Sequence, residues 1–151
     1  MNITPPSLDI ISQTLEHKGL RPSFQRIKVL EYFYKNEGHP NADEIFHDLS
    51  REIPSLSKAT VYNTLHALEQ AGILHVLNID DEELRYDIML EPHGHFKCNN
   101  CGKIQNFKIE ISNISIKELE QFQILEKNVI FKGLCPSCLS NQKILKEKNG
   151  K

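Results

Sequence analysis

The chain has 151 residues, enough for one or two small domains with a modest core. Apolar residues make up 39% and charged residues 25%, a balance that excludes a disordered or membrane-embedded chain. Net charge is −2, and residues 1–75 carry 7 Lys+Arg against 9 Asp+Glu, which excludes a broadly basic nucleic-acid surface. Any DNA contact must therefore rest on a few placed cations, with Arg21, Arg26, Lys28 and Lys58 as the candidates. No run approaches the apolar length of a membrane span, and the first ten residues lack a basic start followed by an apolar stretch, so a cytoplasmic location is expected.

Leu8–Gly19 predicts a first helix, with Leu8, Ile11 and Leu15 on one face and Gly19 as its stop. A second helix is expected from Phe24 to about Asn36, burying Phe24, Ile27, Leu30 and Phe33. After the break at Gly38-His39-Pro40, Asn41 caps a third helix, with Glu44 three residues on as in a capping box. Ser57 caps a fourth, Lys58–Ala71, which Gly72 ends. Ile73–Leu77 and Leu84–Asp87 then predict two short strands around the acidic turn Asp80–Glu83.

Helices followed by such a hairpin make a winged helix-turn-helix. The expected division is a DNA-binding domain over residues 1–87, a hinge over 88–95, a second domain over 96–140 and a flexible tail over 141–151. Within the second domain, Ile104–Ile109 and Asn128–Gly133 are strand-like and Ile116–Phe122 predicts a short helix. The polar, basic tail Asn141–Lys151 is expected to fray. The fold class is α+β.

Cys98-x-x-Cys101 paired with Cys135-x-x-Cys138 carries the strongest chemical signal. Two such knuckles supply four thiolates to one tetrahedral zinc per subunit, with no open position for catalysis. Two redox pairs or buried free thiols are the plain alternative. Along the fourth helix, Lys58, Tyr62 and His66 share a face, with Asn63 beside them near the amino end. Amide, aromatic and cationic groups there suit base edges and phosphates. By pattern alone, an ordinary amphipathic helix with a solvated polar face fits as well.

A third signal is the scatter of His39, Asp87, His93 and His95. His93-x-His95 puts two imidazoles on one side of an extended segment, within reach of one ion. Imidazole mixed with carboxylate suits iron(II), manganese or zinc; exposed loop histidines are the alternative. His17, His47, His66 and His75 are expected at the surface.

Taken together, Arg21-Pro22-Ser23-Phe24-Gln25-Arg26, His39-Pro40-Asn41-Ala42-Asp43-Glu44-Ile45, Ala59-Thr60-Val61-Tyr62, His93-x-His95 and the two knuckles resemble the ferric uptake regulator family, from Leu8 to Cys138. The resemblance implies a homodimer with an amino-terminal winged helix and a carboxy-terminal α/β dimerisation domain, held by the four-cysteine zinc. It implies a repressor, not an enzyme, that grips a palindromic double-stranded operator when a regulatory iron(II), manganese or zinc ion is bound. No small-molecule substrate and no membrane enter that picture. It places Arg21, Gln25, Arg26, Lys58, Thr60, Tyr62 and Asn63 at the DNA.

Asn63 after Tyr62 is similar to the peroxide-responsive branch, in which five side chains hold the regulatory ion. They correspond here to His39, Asp87, His93, His95 and Asn106, the last standing where relatives carry Asp or Glu. Lys127 stands where many members have a histidine, so a further metal site is not expected. The alternatives kept are an iron- or zinc-uptake regulator of the same family and a His/Asp metallohydrolase, for which Glu91 is the only acid near the histidine pair.

Overall fold

The computed structural model describes residues 4–36, 38–78, 83–88, 93–110, 114–125 and 127–149, the side chains of 143–149 excepted. The chain divides into two compact units, Met1–Leu90 and Glu91–Lys151.

In the first unit, four helices precede a two-stranded antiparallel ribbon: α1 (Leu8–His17), α2 (Phe24–Lys35), α3 (Ala42–Ser50), α4 (Lys58–Gln70), β1 (Leu74–Leu77) and β2 (Arg85–Ile88). Each helix starts on a side-chain cap: Ser7, Ser23, Asn41 and Ser57 accept from the backbone N–H three residues on. At α3 the capping box is complete, since Glu44 also accepts from the Asn41 N–H at 2.9 Å. Such a cap is worth about 1 kcal/mol. Gly19 and Gly72 follow the ends of α1 and α4 with φ of 76° and 73°, a conformation that side chains with a Cβ resist.

The core runs from Ile11 and Leu15 through Leu30, Ile45, Val61, Leu65 and Leu68, all fully buried, and on to Tyr86 of the ribbon. Two expected members are missing from it. Phe24 is 60% exposed and Leu8 50% exposed. Each is the first residue of its helix. Part of the acidic turn between β1 and β2 lies outside the described residues.

The second unit is a three-stranded sheet in the order β4-β3-β5, followed by a helix: β3 (His93–Cys98), β4 (Ile104–Lys108), β5 (Ile130–Gly133) and α5 (Pro136–Asn149). β3 pairs antiparallel with β4 and parallel with β5. Gly94 of β3 faces the ring of Phe107, which stacks on Phe131 at 5.2 Å; a Cβ at Gly94 would sit 2.3 Å from that ring.

Three expectations change here. The hinge expected over 88–95 is partly sheet, because Ile88 ends β2 and His93–His95 open β3; Glu91 and Pro92 lie outside the described residues. The helix expected over Ile116–Phe122 is a single 3-10 turn, Lys117–Leu119. The tail expected to fray from Asn141 has helical backbone to Asn149, since it continues the turn begun at Pro136 by the second knuckle. Among the described residues no helix is long and apolar enough to cross a membrane.

Candidate metal centres and nucleic-acid interface

The hairpin β3–β4 and the turn into α5 bring the four cysteines together. Their sulfurs all lie within 4.8 Å of one another. A tetrahedral ion with metal–sulfur bonds of about 2.3 Å needs sulfur–sulfur edges of about 3.8 Å, and Cys101 Sγ lies 3.8 Å from Cys135 Sγ. Cys98, Cys135 and Cys138 are buried and Cys101 is exposed.

Hydrogen bonding within the cluster pulls its thiols in opposite directions. Backbone N–H groups of Cys101 and Cys135 draw the Cys98 thiol down to about 6. At Cys138 the side-chain amide of Asn100 pulls the same way, but the Cys135 thiol, burial and the remaining cysteines outweigh it and leave the group at about 11. A divalent ion removes that conflict by holding all four as thiolates. The residues fit the structural zinc.

The histidine and carboxylate candidates fall into two groups, one per unit. In the first unit, Gly38 turns the chain at a φ of 144° into His39-Pro40. That loop is tied to β2 by Tyr86 N–H to Pro40 O at 3.0 Å and by Arg85 Nη1 to His39 O at 2.9 Å. The ties set His39 Nε2 3.8 Å from Asp87 Oδ2, both side chains being buried. In the second unit, His93 and His95 are two apart on β3 and so share one face of the sheet. Their Nε2 atoms stand 3.1 Å apart. Asn106 is the β4 residue opposite His95 in register, and it is exposed.

Adjacent positions of an octahedral ion with bonds of about 2.1 Å lie about 3.0 Å apart, so the His93–His95 spacing suits two ligands of one ion. The sequence read this segment as an extended hinge carrying both imidazoles on one side; its pairing into a sheet is what the structure adds.

Of the DNA candidates on α4, Lys58, Tyr62 and Asn63 are exposed, as is His66, whereas Val61, Leu65 and Leu68 are buried. The polar face is thus open to a duplex. Thr60 Oγ1 lies 2.8 Å from the capping Ser57 Oγ, which ties it to the start of the helix. Lys58 Nζ lies 3.5 Å from Asp43 and 5.7 Å from the centre of the Phe46 ring.

At the start of α2, Arg21 is exposed, while Gln25 and Arg26 are half-buried, with Arg26 Nη1 donating to Arg21 O at 2.9 Å. Lys28 is not a free cation: its side chain is 17% exposed and held by Glu31 at 2.8 Å and Glu52 at 3.3 Å. It braces α2 instead. The other surface histidines, His17, His47 and His66, are exposed, and His75 is half-buried.

The sequence profile of the Ferric uptake regulator family matches residues 17–132. The Peroxide operon regulator of Bacillus subtilis (strain 168) is 33% identical over 133 residues, covering 83% of this chain and 89% of that one. The solved Ferric uptake regulator from Francisella tularensis, with iron, superposes with a TM-score of 0.66 at 29% identity, covering 80% of this chain and 96% of its own. A structure of PerR from Streptococcus pyogenes, described for peroxide sensing and gene regulation, gives a TM-score of 0.50 at 32% identity, covering 87% and 92%. On this evidence the chain belongs to the ferric uptake regulator family, and it is a metal-dependent transcriptional repressor that binds DNA, not an enzyme.

Proposed function

We propose that the chain is a cytoplasmic, peroxide-responsive repressor that binds a palindromic operator as a homodimer when a regulatory iron(II) or manganese ion is held by His39, Asp87, His93 and His95. The carrying observation is the pair of ready-made ligand sets, His39 beside Asp87 and His93 beside His95. Ligands drawn from both units would make the angle between them depend on occupancy. Two recognition helices must meet half-sites about one helical turn apart, so that angle governs operator affinity. The names of the relatives, a peroxide operon regulator and PerR among them, support the stimulus.

The homodimer draws support from the second unit, which leaves Phe122, Leu125 and Phe131 exposed. Exposed apolar side chains of this size fit an interface between copies.

A zinc-uptake role within the same family is favoured by one feature, Asn106. A neutral amide opposite His95 brings no charge to the ion, which weakens the site most for hard cations.

The test is operator binding by the full chain with and without manganese, and by the iron(II)-loaded chain before and after peroxide. His39→Ala and His93→Ala should keep zinc and dimer yet lose the manganese-dependent part of operator affinity. Unchanged, metal-independent affinity in both variants would refute the switch. Operator binding by the iron(II)-loaded chain that survives peroxide would refute the stimulus alone.

A further inference from the structure

The two knuckles are joined by more than a shared set of sulfurs. Asn100 sits in the turn between Cys98 and Cys101, and its side-chain Nδ2 donates to Cys138 Sγ at 3.2 Å, a partner 38 residues away. The Cys135 N–H makes a comparable bond to Cys98 Sγ at 3.4 Å. Backbone donors of that kind come with the turn. The Asn100 bond does not, because it requires this side chain at this position.

Four thiolates around one divalent cation leave a net charge of about −2. Buried charge is costly unless hydrogen-bond donors face it. Cys138 is buried, and its sulfur is the one that the amide of Asn100 meets. A donor aimed at a thiolate stabilises its lone pairs and fixes the direction in which the sulfur faces the metal.

We propose that Asn100 is a positioning residue of the four-cysteine zinc centre: its amide holds the Cys138 thiolate in place across the two knuckles and slows zinc loss. The inference rests on the structural zinc assigned above. Groups that hydrogen-bond to metal ligands typically change metal affinity by about 10- to 100-fold when removed.

The test uses the full chain with Asn100→Ala and Asn100→Asp. The aspartate keeps the size and turn preference of the residue but has no N–H to give. Asn99→Ala, in the same turn, is the control. One readout is the rate at which zinc passes to an excess of chromogenic chelator. The other is the sulfur-to-metal charge-transfer band of the cobalt(II)-loaded protein, which reports the energy of the thiolate lone pairs.

Both Asn100 variants should release zinc about tenfold faster or more, and their cobalt band should move to lower energy, while Asn99→Ala changes neither. Unchanged rates and bands would overturn the proposal. Faster release with an unmoved band would assign Asn100 to turn geometry alone and would overturn it too. A parent protein that holds no zinc at all would refute the zinc centre itself, a result distinct from either.

Discussion

The first unit buries aliphatic side chains in one continuous cluster that reaches from Ile11 on α1 to Tyr86 on β2. Among the described residues of the second unit the buried cluster is three cysteines, with Phe96 and Leu134 packed on them. Its larger apolar groups sit outside instead: Leu125 is 88% exposed and Phe131 57%. The first unit can therefore fold on the hydrophobic effect alone. Among its described residues the second buries no comparable aliphatic cluster, which is consistent with stability drawn from an ion and a second copy. The same division separates tasks, since the first unit carries the helix proposed to read DNA and the second carries the four-cysteine zinc centre.

The sharpest way to break the comparison is to remove the zinc. Cys98→Ser or Cys135→Ser should release one zinc per chain and abolish the dimer, because metal binding and folding of such a small domain are coupled by about 10 kcal/mol or more. The helical signal of the first unit should remain. Retained zinc and a retained dimer would show that the second unit stands without its metal.

The converse strikes the aliphatic core. Leu65 is fully buried in α4, so Leu65→Ala should cost about 2–5 kcal/mol of stability, read as a lower midpoint of thermal or denaturant unfolding. Zinc content should not change. Loss of zinc in this variant would mean that the units do not fold as separately as their interiors suggest.

A smaller effect is expected on the face that the core leaves open. Tyr62→Ala and Asn63→Ala should weaken operator binding by about 1–3 kcal/mol and blur discrimination between operator variants. Lys58→Ala should weaken all sequences alike and flatten the dependence on salt, as a phosphate contact does. The partner Asp43, with both side chains more than 60% exposed, holds Lys58 too weakly to cancel that contribution. Anisotropy titrations at several salt concentrations separate the two patterns, and wild-type selectivity in the Tyr62 and Asn63 variants would remove α4 from base reading.

The smallest expected change concerns Asn106. Asn106→Asp adds a negative charge opposite His95 and should tighten manganese binding by about tenfold. After iron loading and peroxide, peptides containing His39 or His93 should gain one oxygen more readily in the Asp variant. Equal gain in both proteins would show that the amide does not limit the response.

Much of this was legible in the residues. Asn41 with Glu44, Ser57 and Gly72 mark helix ends by local hydrogen bonding and backbone freedom, which depend on neighbours a few positions away. The spacing of Val61, Leu65 and Leu68 foretold which side of α4 is buried, and hence that Tyr62 and Asn63 face out. The cysteine spacing announced a four-sulfur centre before any sulfur was placed, because a knuckle is a property of four consecutive residues.

What the residues did not determine depends on partners far along the chain. β3 reads as an extended hinge because His93-Gly94-His95 has no β-branched residues; it is a sheet strand because β4 and β5 flank it, one antiparallel and one parallel. Lys28 reads as a free cation until α2 folds, when Glu31 one turn on and the distant Glu52 close around it. Asn100 reads as a turn residue, and only the return of the chain at Cys135–Cys138 brings a sulfur to its amide. Local chemistry sets element ends and ligand identity through short-range bonds. The pairing of β3 with β5, the approach of Glu52 to Lys28 and the Asn100 bond to Cys138 wait on the tertiary fold, because their partners are separated by tens of residues.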